Sequence, residues 1–270
     1  MPFAESDGVR IFWEATGEGD PVLLIQGLGY TSEMWHRVVP ALAGEFRVVT
    51  LDNRGVGRSD VPPGPYSVPM MATDAAAVLD AAGVESAHVY GTSMGGSIAQ
   101  QLAIQSPERV RSLVLTATYC GGPSFVPVDL ETYEMLAKRA TMAPEDGIRL
   151  MVPFIYDAGT PAERIEEDLA IRLRTYPTPE GYLGQLAATM SPWDGSEAIR
   201  ELRIPVLVMH GESDRLVNPA NSPVIASRIP GARLVVLPNA SHIYTTDQPE
   251  AANEEALSFL REVSAREVSV

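Results

Sequence analysis

Residues 87–102 read AHVYGTSMGGSIAQQL, and this segment combines the patterns of a strand, a sharp turn and a helix. Its first four residues are typical of a buried strand, and the segment from Ile98 onward is typical of a helix. Between them, Gly91-Thr92-Ser93-Met94-Gly95 matches the pattern G-x-S-x-G, in which a serine stands on a sharp turn from strand to helix. A plain glycine-rich turn is the alternative, but the strand before and the helix after favour Ser93 as a nucleophile.

Strands and helices alternate on both sides of this turn. Upstream, the pattern predicts strands at 9–13, 21–25 and 47–51 and a helix over 69–82. It also predicts a helix capped by Thr31 or Ser32 that carries Met34, Trp35, Val38, Val39 and Leu42. Downstream, it predicts strands at 110–116, 205–210 and 233–237 and a closing helix over 248–263. We therefore expect an α/β fold, with a mostly parallel sheet covered by helices on both faces.

Residues 121–200 break the alternation, because they contain no convincing strand. Prolines separate four segments with helical character, at 129–140, 144–156, 161–174 and 179–190. We expect a core built from 1–120 and 201–270, with 121–200 inserted as a helical cap over the ligand crevice at the carboxyl edge of the sheet. A second structural layer without a role in binding is the alternative.

The predicted cap is rich in large flexible and aromatic side chains. Some of them are candidates to line an apolar pocket, since methionine adapts to irregular ligands, and more than half are expected to form the core of the cap. They are Tyr133, Met135, Met142, Met151, Phe154, Tyr156, Tyr182 and Met190.

A serine hydroxyl needs a base to act as a nucleophile at neutral pH, and the base needs an acid that orients it. Where the nucleophile stands on such a turn, the acid and then the histidine follow it along the chain. His242 lies in a loop after the last predicted strand and meets this order. His210 ends an apolar strand and is interpreted as structural or site-lining. The acid follows the strand after the insertion, where both Glu212 and Asp214 are candidates.

The developing negative charge on a substrate oxygen needs two N–H donors. We expect one from Met94, the residue after the nucleophile, and the other from the loop after the strand at 21–25, where Leu28 is the candidate. Gln26 and Gly27, in the same loop, are expected to contact the substrate.

Five segments in this order resemble the α/β-hydrolase superfamily over nearly the whole chain: 26–29 (QGLG), 52–59 (DNRGVGRS), 91–96 (GTSMGG), 210–214 (HGESD) and 241–242 (SH). The resemblance implies the fold of that family, and its spacing favours Asp214 over Glu212 as the acid. Within the superfamily, the chain is similar to the small capped enzymes around 3-oxoadipate enol-lactonase, cofactor-free perhydrolases and bacterial carboxylesterases. Members with an aspartate nucleophile are disfavoured because Ser93 holds that position. The chain departs from the family at Gln26, where relatives usually carry histidine.

The resemblance and the triad together predict hydrolysis of a carboxylic ester or lactone through an acyl-enzyme on Ser93, with no cofactor. Hydrolysis of a C–C bond in a diketone uses the same triad and remains an alternative. A ligand-binding protein that kept the fold without turnover is the other, because fold alone does not fix function.

The charge balance of the chain limits its partners. Lys and Arg number 20 and Asp and Glu number 35, which gives 20 − 35 = −15. Such an acidic chain repels nucleic acid and anionic membranes, so we expect a small-molecule partner and either a monomer or a homo-oligomer. The single Cys120 and the absence of a signal-like N-terminus lead us to expect the cytoplasm. The scattered histidines predict no metal site.

Overall fold

The computed structural model describes residues 2–139 and 142–267. Within them, eight strands form one sheet: β1 (Phe3–Ser6), β2 (Val9–Thr16), β3 (Asp20–Ile25), β4 (Phe46–Leu51), β5 (Ala87–Thr92), β6 (Val110–Thr116), β7 (Val206–Gly211) and β8 (Arg233–Leu237). Their order across the sheet is β1-β2-β4-β3-β5-β6-β7-β8. The helices are α1 (Val39–Leu42), α2 (Val68–Ala81), α3 (Met94–Gln105), α4 (Leu130–Arg139), α5 (Pro144–Ile155), α6 (Ala162–Arg174), α7 (Pro179–Met190), α8 (Asn221–Arg228), α9 (Tyr244–Asp247) and α10 (Pro249–Glu267).

The sheet is parallel from β4 to β8, and only the pairs β1/β2 and β2/β4 are antiparallel. The predicted mostly parallel sheet is therefore confirmed. Because the carboxyl ends of β3, β5, β7 and β8 meet at one edge, the loops that carry Leu28, Ser93, Asp214 and His242 all start from that edge.

Two apolar clusters cover the two faces of the sheet. Leu23 and Ile25 of β3 pack on the side that also holds Met71 of α2 and Ile98 of α3. Their neighbours in the same strand, such as Leu24, pack on the other side with residues of α10. Successive side chains of a strand point to opposite faces, so an uninterrupted apolar run such as that of β3 requires cover on both faces.

The predicted helix from Thr31 or Ser32 to Leu42 is wrong. The segment forms a 3₁₀ turn at Ser32–Trp35 and a single α-turn, α1, that contains Pro40. Proline has no backbone N–H and its ring clashes with the preceding turn, so one continuous helix cannot run through Pro40. Thr31 makes no capping hydrogen bond, and the backbone N–H and the hydroxyl of Ser32 both donate to Asp52 instead.

Other differences concern short elements. The strand β1 and the short helices α8 and α9 were not expected from the sequence. The described part of α4 runs to Arg139. The predicted end of this helix at Ala140 lies outside the described residues.

The four helices α4 to α7 lie between β6 and β7, as the sequence predicted. At the base of this insertion, Gly121 forms a bridge with Asp194, and the N–H of Gly195 donates to the carbonyl of Cys120 at 3.0 Å. The two ends of the insertion are thus held side by side. None of the helices in the described part of the chain has both the length and the apolar composition that a membrane crossing requires.

Candidate active site

Ser93 stands on the turn between β5 and α3 with φ 54° and ψ −123°. A positive φ is rare for a residue with a side chain and marks a strained backbone. The turn is tight on both sides. A Cβ on Gly91 would lie 2.2 Å from the carbonyl oxygen of Gly95, and one on Gly95 would lie 2.1 Å from the carbonyl oxygen of Ile25. Glycine is required at both positions, which gives the G-x-S-x-G pattern a physical cause.

The loop after β3 lies directly against this serine. A Cβ on Gly27 would lie 3.0 Å from Ser93 Cβ and 3.5 Å from Ser93 Oγ. Leu28 follows in the same loop, and Met94 opens α3, where the first N–H groups of a helix have no partner within the helix. Both expected N–H donors therefore belong to segments that flank Ser93.

Gln26 turns its side chain back onto its own loop. Its Oε1 accepts a hydrogen bond from the N–H of Gly27 at 3.2 Å, and its carbonyl accepts one from Asn53 Nδ2 at 3.0 Å. The N–H of Gly27 is engaged in this contact, which favours the next N–H, that of Leu28, as the donor for substrate.

Asp214 and His242 form a buried pair. Asp214 Oδ2 accepts a hydrogen bond from His242 Nδ1 at 2.8 Å, and Asp214 Oδ1 accepts from the N–H groups of Leu216 at 2.8 Å and Val217 at 2.9 Å. With its proton on Nδ1, a neutral His242 leaves Nε2 free to accept a proton. The alternative acid, Glu212, has an exposed side chain.

The surroundings of Asp214 keep it ionised. Its complete burial alone would raise the pKa of the carboxyl group, but the positive charge available on His242 and the hydrogen bonds from His210 and His242 outweigh burial. The pKa of Asp214 is therefore held well below its usual range. An ionised acid is what an orienting partner of a base requires.

A model of the α/β-hydrolase fold matches residues 20–143. RutD of Azorhizobium caulinodans, which is named as a proposed carbamate hydrolase, is 35% identical over 268 residues that cover 97% of this chain and 99% of the relative. The chain belongs to the α/β-hydrolase family. The family resemblance of the five sequence segments is thereby confirmed.

Two further relatives of this α/β-hydrolase are named as an esterase and a lactonase. The pimeloyl-[acyl-carrier protein] methyl ester esterase of Aeromonas hydrophila is 32% identical over 250 residues, which cover 88% of this chain and 94% of the relative. The crystal structure of the enol-lactonase from Burkholderia xenovorans LB400 superposes with a TM-score of 0.83 at 26% identity and covers 96% of this chain and 100% of that one.

His210 is a site residue whose place the sequence did not reveal. Its Nε2 lies 2.9 Å from Asp214 Oδ2 and 3.0 Å from the carbonyl oxygen of Val217, while its Nδ1 lies 2.5 Å from Ser222 Oγ. A carboxylate and a carbonyl can only accept, so Nε2 carries the proton and donates, and Nδ1 accepts from the hydroxyl of Ser222. The signal available in the sequence was a histidine that ends a buried strand four residues before the acid.

The loop that carries His242 is fixed on both sides. The N–H of Ser241 donates to Asp247 Oδ2 at 2.6 Å, and the N–H of Ile243 donates to the carbonyl of Ile155 in α5 at 2.9 Å. Asp247 also accepts from the Thr160 hydroxyl at 2.5 Å. Burial raises the pKa of Asp247 to about 6, against the lowering effect of these hydrogen bonds. The inserted helices thus hold the histidine loop directly.

His242 and Gln26 line a small cavity of about 20 Å³, together with Tyr30, Thr92 and Ile243. A larger groove of about 280 Å³ lies between residues 52–58 and 174–178, and neither Ser93, Asp214 nor His242 lines it. The smaller cavity contains His242 of the predicted triad, while Ser93 and Asp214 do not line it. Its volume corresponds to about one water molecule. No cluster of three metal-binding side chains occurs among the residues that the structure describes.

Proposed function

We propose that this α/β-hydrolase cleaves a carboxylic ester or lactone through a covalent acyl-enzyme on Ser93. The observation that carries the proposal is the contact of His242 Nδ1 with the buried Asp214 at 2.8 Å, on the sheet edge that also presents Ser93 on its strained turn. The esterase and lactonase names of relatives that match over nearly the whole chain support the same chemistry.

In the first half of the reaction, His242 Nε2 takes the proton of Ser93 as its oxygen attacks the substrate carbonyl. Asp214 holds the ring in the required tautomer and stabilises the imidazolium that forms. The N–H groups of Leu28 and Met94 bind the oxyanion, with the positive end of α3 behind Met94. His242 then returns the proton to the leaving alcohol.

In the second half, His242 removes a proton from water, which attacks the acyl-enzyme and releases the acid and Ser93. Each step moves only protons and the acyl group, so the residues named here suffice.

The helices α4 to α7 act as a cap in this proposal. Gln185 of α7 accepts from the N–H of Gly29 at 2.8 Å and donates to the carbonyl of Arg54 at 2.8 Å, so the cap holds the oxyanion loop. The cavity beside His242 measures about 20 Å³, which is less than an ester occupies, so we expect substrate to enter as these helices shift. Of the large cap side chains, Met135, Met151, Phe154 and Tyr156 are buried in a cluster of their own.

The test is active-site labelling followed by a substrate panel. A fluorophosphonate should label the wild-type protein once, at Ser93, and Ser93→Ala should lose both labelling and turnover. Ser97→Ala is the matched control, because Ser97 is buried one turn further along α3 and has no proposed role. The panel compares esters, lactones, thioesters, a carbamate and a diketone. An adduct at another residue, or full turnover by Ser93→Ala, would contradict the mechanism. Binding without turnover of any of these substrates would favour the ligand-binding alternative.

A further inference from the structure

Two arginines of the described residues are almost fully buried, and they differ in their partners. Arg54 is 4% exposed and Arg172 is 5% exposed. Arg54 is paired with Asp74: its Nε and Nη2 each lie 2.5 Å from a different oxygen of that carboxylate. A two-point ion pair of this kind is how proteins usually satisfy a buried guanidinium.

Arg172, in the cap helix α6, has no such partner. No carboxylate in the described part of the chain lies within 4.0 Å of its guanidinium, and its Nη1 is buried without a hydrogen-bond partner. Its Nη2 lies 4.0 Å from the sulfur of Met151, which is a weak acceptor. Its central carbon, Cζ, lies 5.1 Å from the centre of the Tyr30 ring.

The buried acid one helical turn earlier is already occupied. Asp168 accepts from the hydroxyl of Thr246 at 2.6 Å and from that of Tyr156 at 3.0 Å, and Arg37 Nη2 lies 3.4 Å from it. Its oxygens are therefore engaged with other groups. A buried positive charge with free N–H donors is costly, unless it is completed by an anion that is absent from the chain itself.

The position of Arg172 indicates where that anion comes from. Tyr30, which the guanidinium overlies, lines the cavity that also contains His242. Met151 belongs to the apolar cap cluster, which packs against Ile243, the residue after His242. Arg172 does not itself line that cavity, but it is joined to it through Tyr30 on one side and through the cluster beside Ile243 on the other.

We infer that Arg172 binds a carboxylate at the far end of the substrate, so that the preferred substrates are half-esters or lactones that carry an acid group. This inference rests on the proposed function. Guanidinium matches a carboxylate with two parallel hydrogen bonds, and the burial of Arg172 gives this pairing a low-dielectric setting. In a chain with net charge −15, an anionic substrate needs such a local positive site to be held.

The test compares substrates that differ only in that charge. Monomethyl esters of succinate, glutarate and adipate are each paired with the same ester bearing an uncharged amide in place of the free acid. The wild-type enzyme should prefer at least one acid over its amide by tenfold or more in kcat/KM.

Arg172→Met keeps the length and apolar packing of the side chain. It should lower kcat/KM for that acid by about thirtyfold or more, as expected for loss of one partner of a buried charge pair, and change the amide by less than about threefold.

Arg174→Met is the matched control, because Arg174 lies on the same helix but is exposed and pairs with Glu33. It should leave the acid-to-amide ratio unchanged. Equal losses on acid and amide in Arg172→Met, or no acid preference in the wild type, would overturn the inference.

A measurement on the wild-type protein covers the case in which Arg172→Met does not fold. Calorimetry should detect binding of at least one of the dicarboxylates succinate, glutarate and adipate, and weaker or no binding of the matching diamide. Dicarboxylates that bind no better than their diamides would overturn the inference.

Hydrolysis of p-nitrophenyl acetate with labelling of Ser93 is measured in parallel. If it succeeds while the charge preference fails, only the role of Arg172 is wrong. If it fails while dicarboxylates bind, the proposed function is wrong and the anion site stands.

Discussion

His210 Nε2 and Asp214 Oδ2 lie 2.9 Å apart, and that oxygen also accepts from His242. His210 therefore stabilises the ionised acid and limits its rotation. We predict that His210→Leu lowers kcat by about tenfold. The carboxylate would then be more basic and hold the His242 imidazolium more strongly, so the acid limb of the kcat/KM profile should move to higher pH. His210→Gln, which keeps a donor near the Nε2 position, should restore much of the wild-type profile. Loss of thermal stability without a shifted acid limb would assign His210 a purely structural role.

The choice between Asp214 and Glu212 as the acid is tested by replacing each carboxylate with its amide. Asp214→Asn should lower kcat by about 10³–10⁴, because the asparagine amide no longer stabilises the imidazolium or fixes its tautomer. Glu212→Gln should leave kcat within about twofold, since the Glu212 side chain is exposed. Steady-state kinetics on one activated ester measures both. A large loss of kcat in Glu212→Gln, together with near-wild-type kcat in Asp214→Asn, would reverse the assignment.

The positions of the parallel strands along the chain and the turn at Ser93 were predictable because both leave a local signal. Buried parallel strands such as β3 are short apolar runs, and the turn at Ser93 demands glycine at fixed positions. The break at Pro40 was also local, yet the apolar spacing from Met34 to Leu42 outweighed it in the prediction.

Other features depend on contacts between distant segments and left no such signal. The charge at Arg172 is typical of an exposed helix position, and the packing of α6 against the loop at Tyr30 and against Met151 of α5 buries it. The role of His210 likewise depends on the path of residues 211–214, which returns Asp214 to the end of its own strand. Hydrophobic periodicity carries no information on either contact.

Asp247 is expected to make stability depend on pH. Its pKa of about 6 in the folded protein lies above the value of about 3.9 in an unfolded chain. Between these values the folded state binds the proton more tightly, so this group contributes stability below about pH 4 and that contribution is lost as the pH rises through 6. Complete loss of this contribution lowers the free energy of unfolding by about 3 kcal/mol at most. Calorimetric Tm values from pH 4 to 7 should fall less steeply for Asp247→Asn than for the wild type. Parallel curves for the two proteins would show that Asp247 titrates normally.

Gln26 is the position at which the chain departs from its family. Its side-chain oxygen accepts the N–H of Gly27, and the residue also lines the cavity beside His242. We predict that Gln26→Ala lowers kcat by about tenfold. Removal of a direct oxyanion donor costs about 10²–10³, whereas here the N–H of Leu28 remains and only its placement loosens. Gln185 of α7 still holds the N–H of Gly29, which limits the disorder of the loop. Fluorophosphonate should still label Ser93 in this variant, which separates a slower acyl transfer from a lost nucleophile. Gln26→Glu keeps the accepting oxygen and should retain more activity than Gln26→Ala. A folded Gln26→Ala that loses a thousandfold or more in kcat would instead make the Gln26 side chain a direct donor to the substrate, and Leu28 would no longer be required in that role.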